Sequence, residues 1–219
     1  MAIALAVITI LMLITKKMPK FSISELSNKS WRIIALALFL PAIALFHAAL
    51  VSALLALGFI SAADALSYNN PNVAEAQAQK SRAIAIDMDE SNERNQILTE
   101  SLEYWQQGIS ARPLWPYYHL GALDVEVLLK DQAASQQRIQ HIIELAPNER
   151  GLDQSFMILA FIAWNWLEAA EKEWVLQRLS ISSKRILKEV FFYAKQANNQ
   201  QDICAHLAWN KVKKLCSAH

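Results

Sequence analysis

Asp124, Glu126 and Asp131 fall within eight residues, and paired carboxylates are what acid–base work on a glycan or lipid linkage would need. Such groups on a helix ordinarily form a solvated face, and nothing nearby in the chain would raise the pKa of one of them. The histidines at 47, 119, 141, 206 and 219 are scattered, and none pairs at i, i+4, so no metal site is expected. Nucleophile-elbow, phosphate-loop, dinucleotide and zinc-protease patterns are absent. The four glycines, Gly58, Gly108, Gly121 and Gly151, cannot assemble a phosphate-cradling loop. The expectation is a protein that is not an enzyme and holds no cofactor.

Three other groups carry chemistry of a different kind. Cys204 and Cys216 pair as a disulfide if the chain turns between them. Twelve residues of unbroken helix would hold their Cα atoms about 18 Å apart, against the roughly 4.4–6.8 Å that a disulfide requires. The turn would fall at "HLAWN", residues 206–210. The alternative is two separate thiols on one helix. His47 lies inside a long apolar run, where an ionisable group is either functional or a neutral imidazole bonded to a neighbouring helix. Residues 184–219 hold seven Lys/Arg against two Asp/Glu, whereas residues 64–183 hold nine against 17. That basic end would suit an acidic partner, anionic lipid or an anionic polymer, or is a solvated helix that neutralises its acidic neighbours. The outer region is net acidic as a whole, so nucleic acid is not indicated.

The elements that must position these groups follow from the apolar pattern. Residues 1–15 and 33–62 carry two charge-free runs, Ala2–Ile14 and Ile33–Ile60. A helix over the 28 residues of the second would rise about 42 Å, more than the roughly 30 Å hydrocarbon core. The first would rise only about 20 Å and spans as a short helix. Between them, residues 16–32 hold Lys16, Lys17, Lys20, Lys29 and Arg32 against Glu25, which places this loop in the cytoplasm. Residues 63–219 then lie outside, in the periplasm of a bacterial cell, where disulfides persist.

The outer domain reads as all-α. Leu98, Leu102, Trp105 and Ile109 make one helical stripe, and Leu152, Phe156, Leu159, Ala163 and Trp166 a second. Leu187, Val190, Phe191 and Ala194 make a third, with further helices over 117–129 and 133–146. Pro113 in "ISARPLWP" and Pro147 in "IELAPNER" stand 34 residues apart, each past a helix end, and that is the tetratricopeptide period. The fit to the repeat is loose, so a degenerate tetratricopeptide-like stack of about five to seven helices is expected. Arg112, Pro113, Trp115, Pro116 and Tyr117 would form one helix joint, with Trp115, Tyr117 and Tyr118 as its packing, and Pro147 would set the other.

With those joints, "AWNWL" (residues 163–167) and a C-terminal cysteine pair, residues 90–216 resemble the VpsP-type exopolysaccharide biosynthesis proteins. The resemblance implies a membrane-anchored, tetratricopeptide-like accessory protein of the bacterial inner membrane. Its partners would be proteins of exopolysaccharide synthesis and export, and its role that of a non-catalytic scaffold or regulator. Two apolar runs in place of one anchor depart from that pattern. Cytochrome c maturation assembly factors, with two membrane helices and a periplasmic tetratricopeptide domain, are the alternative.

Overall fold

The computed structural model describes residues 28–66 and 70–217, with side chains from residue 37 onward. The first apolar run and residues 16–27 lie outside the described residues. All regular structure among the described residues is helical. The chain divides into two compact units, residues 1–53 and 54–219.

In the first unit runs most of α1 (Asn28–Ala56), whose stretch Ala37–Ala56 has a mean hydropathy of 2.2 and is long and apolar enough to cross a membrane. Its 20 residues rise about 30 Å, the thickness of the hydrocarbon core. Leu38, Phe39, Leu40, Leu45 and Phe46 are each more than half exposed, as suits a lipid-facing surface.

The expected helix through Ile60 is corrected at this point, because α1 starts before the apolar run and stops short of its end. Gly58 takes φ +79, its N–H bonds the Leu55 carbonyl at 3.0 Å, and Phe59 N–H bonds Leu54 at 2.8 Å. This pair of bonds around a left-handed residue is the Schellman stop, which glycine adopts without a Cβ penalty. The remaining apolar residues enter α2 (Ile60–Leu66).

The second unit continues with α3 (Pro71–Ile86), α4 (Asn92–Ala111), α5 (Pro116–Leu128), α6 (Gln132–Leu145), α7 (Asp153–Ile162), α8 (Ala169–Ser180), α9 (Lys184–Gln196), α10 (Gln200–His206) and α11 (Trp209–Cys216). The outer residues thus form more and shorter helices than the five to seven expected. Side chains cap the starts: Ser91 accepts from Arg94 N–H, Asp131 from Ala134 N–H and Ser183 from Ile186 N–H. Glu168 and Glu171 form a capping box on α8.

Consecutive helices from α3 to α6 pack on one another. Helix α3 runs antiparallel to α4, with Arg94 Nε on the Ala85 carbonyl (3.2 Å), Ser101 Oγ on Ala78 (2.7 Å) and Arg112 Nη1 on Asn72 Oδ1 (3.3 Å). Helix α5 lies between two cores. Tyr118, Ala122 and Val125 face Leu98 and Trp105, while Leu123 and Val127 face Ile139, Phe156 and Met157. Burial on both sides explains why its sequence is apolar almost all round. Beyond it, α7 packs on α5, α8 and α9, and α10 and α11 close the chain against α9.

The stripe from Leu152 to Trp166 is not one helix. A 3₁₀ turn at Arg150–Leu152 precedes α7, and a second at Trp164–Trp166 follows it. Tertiary contacts override the periodicity there. Trp164 stacks on Phe161 with centroids 4.4 Å apart and donates from Nε1 to Asp202 Oδ2 at 2.8 Å.

Candidate functional site

Helix α4 ends where Arg112 leaves it with its N–H still on the Gly108 carbonyl (3.0 Å). Trp115 N–H bonds back to Arg112 (3.1 Å), and Pro116 takes the first position of α5, where its missing N–H costs nothing. One turn into α5, His119 reaches back to Pro113. Its Nε2 lies 2.9 Å from the Pro113 carbonyl and so donates, leaving Nδ1 to accept from Arg138 Nη1 at 3.3 Å. Arg138, on α6, holds Glu126 through Nη2–Oε1 at 2.6 Å and Nε–Oε2 at 3.3 Å. His119 and Glu126 are 4% and 2% exposed. Burial pushes the His119 pKa down against the pull of the Pro113 carbonyl, and the charges of His141 and Arg138 push the same way. The imidazole is thereby neutral with a fixed tautomer. A cleft of about 490 Å³, lined by His119, Glu126, Arg138, His141 and Glu144 among others, opens beside this chain of bonds.

The second joint repeats the device. Arg178 Nη1 donates to the Pro147 carbonyl at 3.0 Å and Arg178 Nε to Asp153 Oδ1 at 2.7 Å, with both side chains buried. Each proline carbonyl of the 34-residue pair is thus bound by a side chain that also belongs to a buried charge network. Tyr117 links the joints, donating its hydroxyl to Glu149 Oε1 (3.3 Å), which also accepts from Gly151 N–H (2.9 Å). A side chain at Gly151 would collide with the Tyr117 hydroxyl.

The expectation that Trp115 and Tyr117 pack the joint is corrected. Trp115 is 47% exposed, Tyr117 36% and Leu114 78%, while Pro113 and Pro147 are exposed as well. Tyr118 does the packing, at 1% exposed against Trp105 and Gly108, with Arg112 Nη1 on its hydroxyl at 3.3 Å. Trp115 and Tyr117 lean on each other outside, their centroids 5.3 Å apart. The joint therefore displays an apolar corner whose backbone is pinned from within.

The three carboxylates do not assemble an acid–base pair. Asp124 is bound by Arg82 on α3, Glu126 by Arg138, and Asp131 caps α6. Positions two apart on a helix do not share a face. His119 and His141 rings approach to 4.6 Å, but among the described residues no group of three or more potential metal ligands occurs. His47 lies mid-way along the apolar stretch of α1, on its exposed surface. Cys204 and Cys216 are bonded, with Cα atoms 6.0 Å apart, because the chain turns at Leu207–Ala208 between α10 and α11.

The sequence signals missed here are the long-range partners. Arg82 and Asp124 are 42 residues apart, and Asp153 and Arg178 are 25 apart. Only Glu126–Arg138, 12 apart across a short hairpin turn, is within reach of sequence spacing. Compared with known proteins, the chain matches no family model, no curated protein and no solved structure.

Proposed function

We propose that this protein is a non-catalytic scaffold of bacterial exopolysaccharide biosynthesis and export. It is anchored in the inner membrane by α1, with residues from about 63 in the periplasm, and binds partner proteins through a degenerate tetratricopeptide-like domain. The observation that carries the reading is the corner of Leu114, Trp115 and Tyr117, exposed on a backbone held by the His119–Arg138–Glu126 chain. A rigid, exposed aromatic and aliphatic cluster is the kind of surface that anchors a protein interface. The 34-residue recurrence of the proline joints and the VpsP-type resemblance add the architecture and the pathway. The carboxylates that could have served a reaction are engaged in pairing and capping, which supports binding over catalysis.

Tagged protein, gently solubilised from native membranes, is expected to co-purify with polymerase, glycosyltransferase or export subunits. The double variant Leu114→Asp/Trp115→Ala is expected to fold and to lose them. Haem-lyase components in their place would move the protein to cytochrome c maturation. Normal polymer in a strain lacking the gene, together with no such capture, would refute the scaffold reading.

A further inference from the structure

The strongest charge feature lies at the far end of the chain from the proline joints. Helices α9 and α11 form a cleft of about 590 Å³ between them. Lys184, Arg185 and Lys188 line one wall and Lys211, Lys213 and Lys214 the other, with Leu187 and Leu215 between. Among the described residues no carboxylate lines it. Lys211 is committed to the fold, its Nζ donating to the Ser180 carbonyl at the end of α8. Among the described residues the other five cations form no ion pair. Five like charges held around one hollow repel one another, and folding gains nothing visible from the arrangement.

The walls are also fixed in place. Val212 is fully buried and roots α11 in the core, and the Cys204–Cys216 bond ties the end of α11 to α10. A pre-formed site loses less on binding than a flexible tail would.

We infer that this cleft binds a linear polysaccharide bearing carboxylates, a polyuronate-type chain. Concavity favours a thin polyanion over a flat bilayer, which could not reach both walls at once. Exposed aromatics favour a glycan over an acidic peptide. Phe192 is 56% exposed one turn along α9 from Lys188, and Trp209 is 57% exposed one turn from Lys213 on α11. Neither ring lines the cleft itself, but residues four apart on a helix share a face, so each helix carries an exposed apolar ring one turn beyond a lining lysine, where a sugar face leaving the cleft can rest. The inference deepens the exopolysaccharide reading by naming a polymer class and rests on it for the source of the ligand; the binding itself is measurable without it.

The test uses the full chain in nanodiscs of neutral phosphatidylcholine, titrated calorimetrically with polyuronate oligomers, dextran oligomers of equal length, polyglutamate, and vesicles of phosphatidylglycerol. Polyuronate is expected to bind and dextran not to. The triple reversal Lys188→Glu/Lys213→Glu/Lys214→Glu should weaken polyuronate by about a hundredfold or more, taking about 1 kcal/mol as what each of the three basic side chains contributes near an anionic surface. Phe192→Ala/Trp209→Ala, which keeps every charge, should weaken it too, whereas Lys80→Glu on α3 should leave it unchanged. Equal or tighter binding of polyglutamate or of the vesicles overturns the assignment, as does polyuronate affinity that survives the reversal, or no binding at all. Loss of partner proteins in Leu114→Asp/Trp115→Ala with polyuronate affinity intact would separate the scaffold surface from this cleft.

Discussion

His119 shows how a single side chain turns a proline joint into a fixed corner. The neutral ring must keep its proton on Nε2 for Pro113 and its lone pair on Nδ1 for Arg138. Protonating it would set two cations against each other beside His141, with Glu126 already engaged. Its folded pKa lies below the unfolded value near 6.5, chiefly through burial. Between those values the unfolded chain holds the extra proton, so stability is complete above about pH 6.5 and falls as the pH drops toward the folded pKa. The melting temperature of the wild type is therefore expected to fall more between about pH 7.5 and pH 5.5 than that of His119→Gln. Equal slopes would remove the histidine from the joint. Arg178 carries the larger energy. Truncating it to Met leaves Asp153 charged and buried, a loss of about 3–5 kcal/mol in urea unfolding, and Asp153→Asn in the same chain should recover part of it. The Asp153–Arg178 network was not legible beforehand, because nothing local singles out Asp153 until the fold supplies an arginine 25 residues on, whereas Glu126, read as a solvated acid, finds Arg138 only 12 residues away.

At the scale of elements, the breaks were the most readable part of the chain. Proline chemistry acts locally, so the ends near Ala111 and Ala146 are visible as residue types. Helix α7 was not, since its stop after Ile162 depends on Trp164 finding Phe161 and Asp202, 38 residues on. Which glycine matters was equally hidden. Gly108 and Gly121 both sit inside helices, where alanine would gain about 1 kcal/mol of helix propensity. A Cβ at Gly108 would meet the Tyr118 ring at 3.4 Å, an ordinary contact, whereas one at Gly121 would overlap the Trp105 indole. Gly108→Ala is thus expected to be neutral or to stabilise by up to about 1 kcal/mol, and Gly121→Ala to destabilise by about 1–3 kcal/mol. Thermal unfolding followed by circular dichroism checks both. A stabilised Gly121→Ala would show that α4 and α5 are not in this contact.

For the whole molecule, composition and hydropathy pointed to helices and a membrane segment, and the described residues are helical with one helix long enough to cross a bilayer. Which side the second unit occupies is an inference from charge. Lys29 and Arg32 precede the apolar stretch, with Lys16, Lys17 and Lys20 further back, and such clusters stay in the cytoplasm. Crossing once through Ala37–Ala56 would then deliver everything beyond Gly58 to the other side, whether or not residues 1–15 also span. The cysteine pair reports on this directly. In an oxidising compartment Cys204 and Cys216 are held as a disulfide, whereas cytoplasmic thiols are kept reduced. Acid-quenched cells treated with a mass-tagging maleimide should show no adduct on the wild-type chain until a reductant is added, and two afterwards. In a strain lacking the periplasmic thiol oxidase, adducts should form without reductant. Adducts in both strains without reductant would put the domain in the cytoplasm, and the cleft between α9 and α11 would then have to answer to a cytoplasmic polyanion.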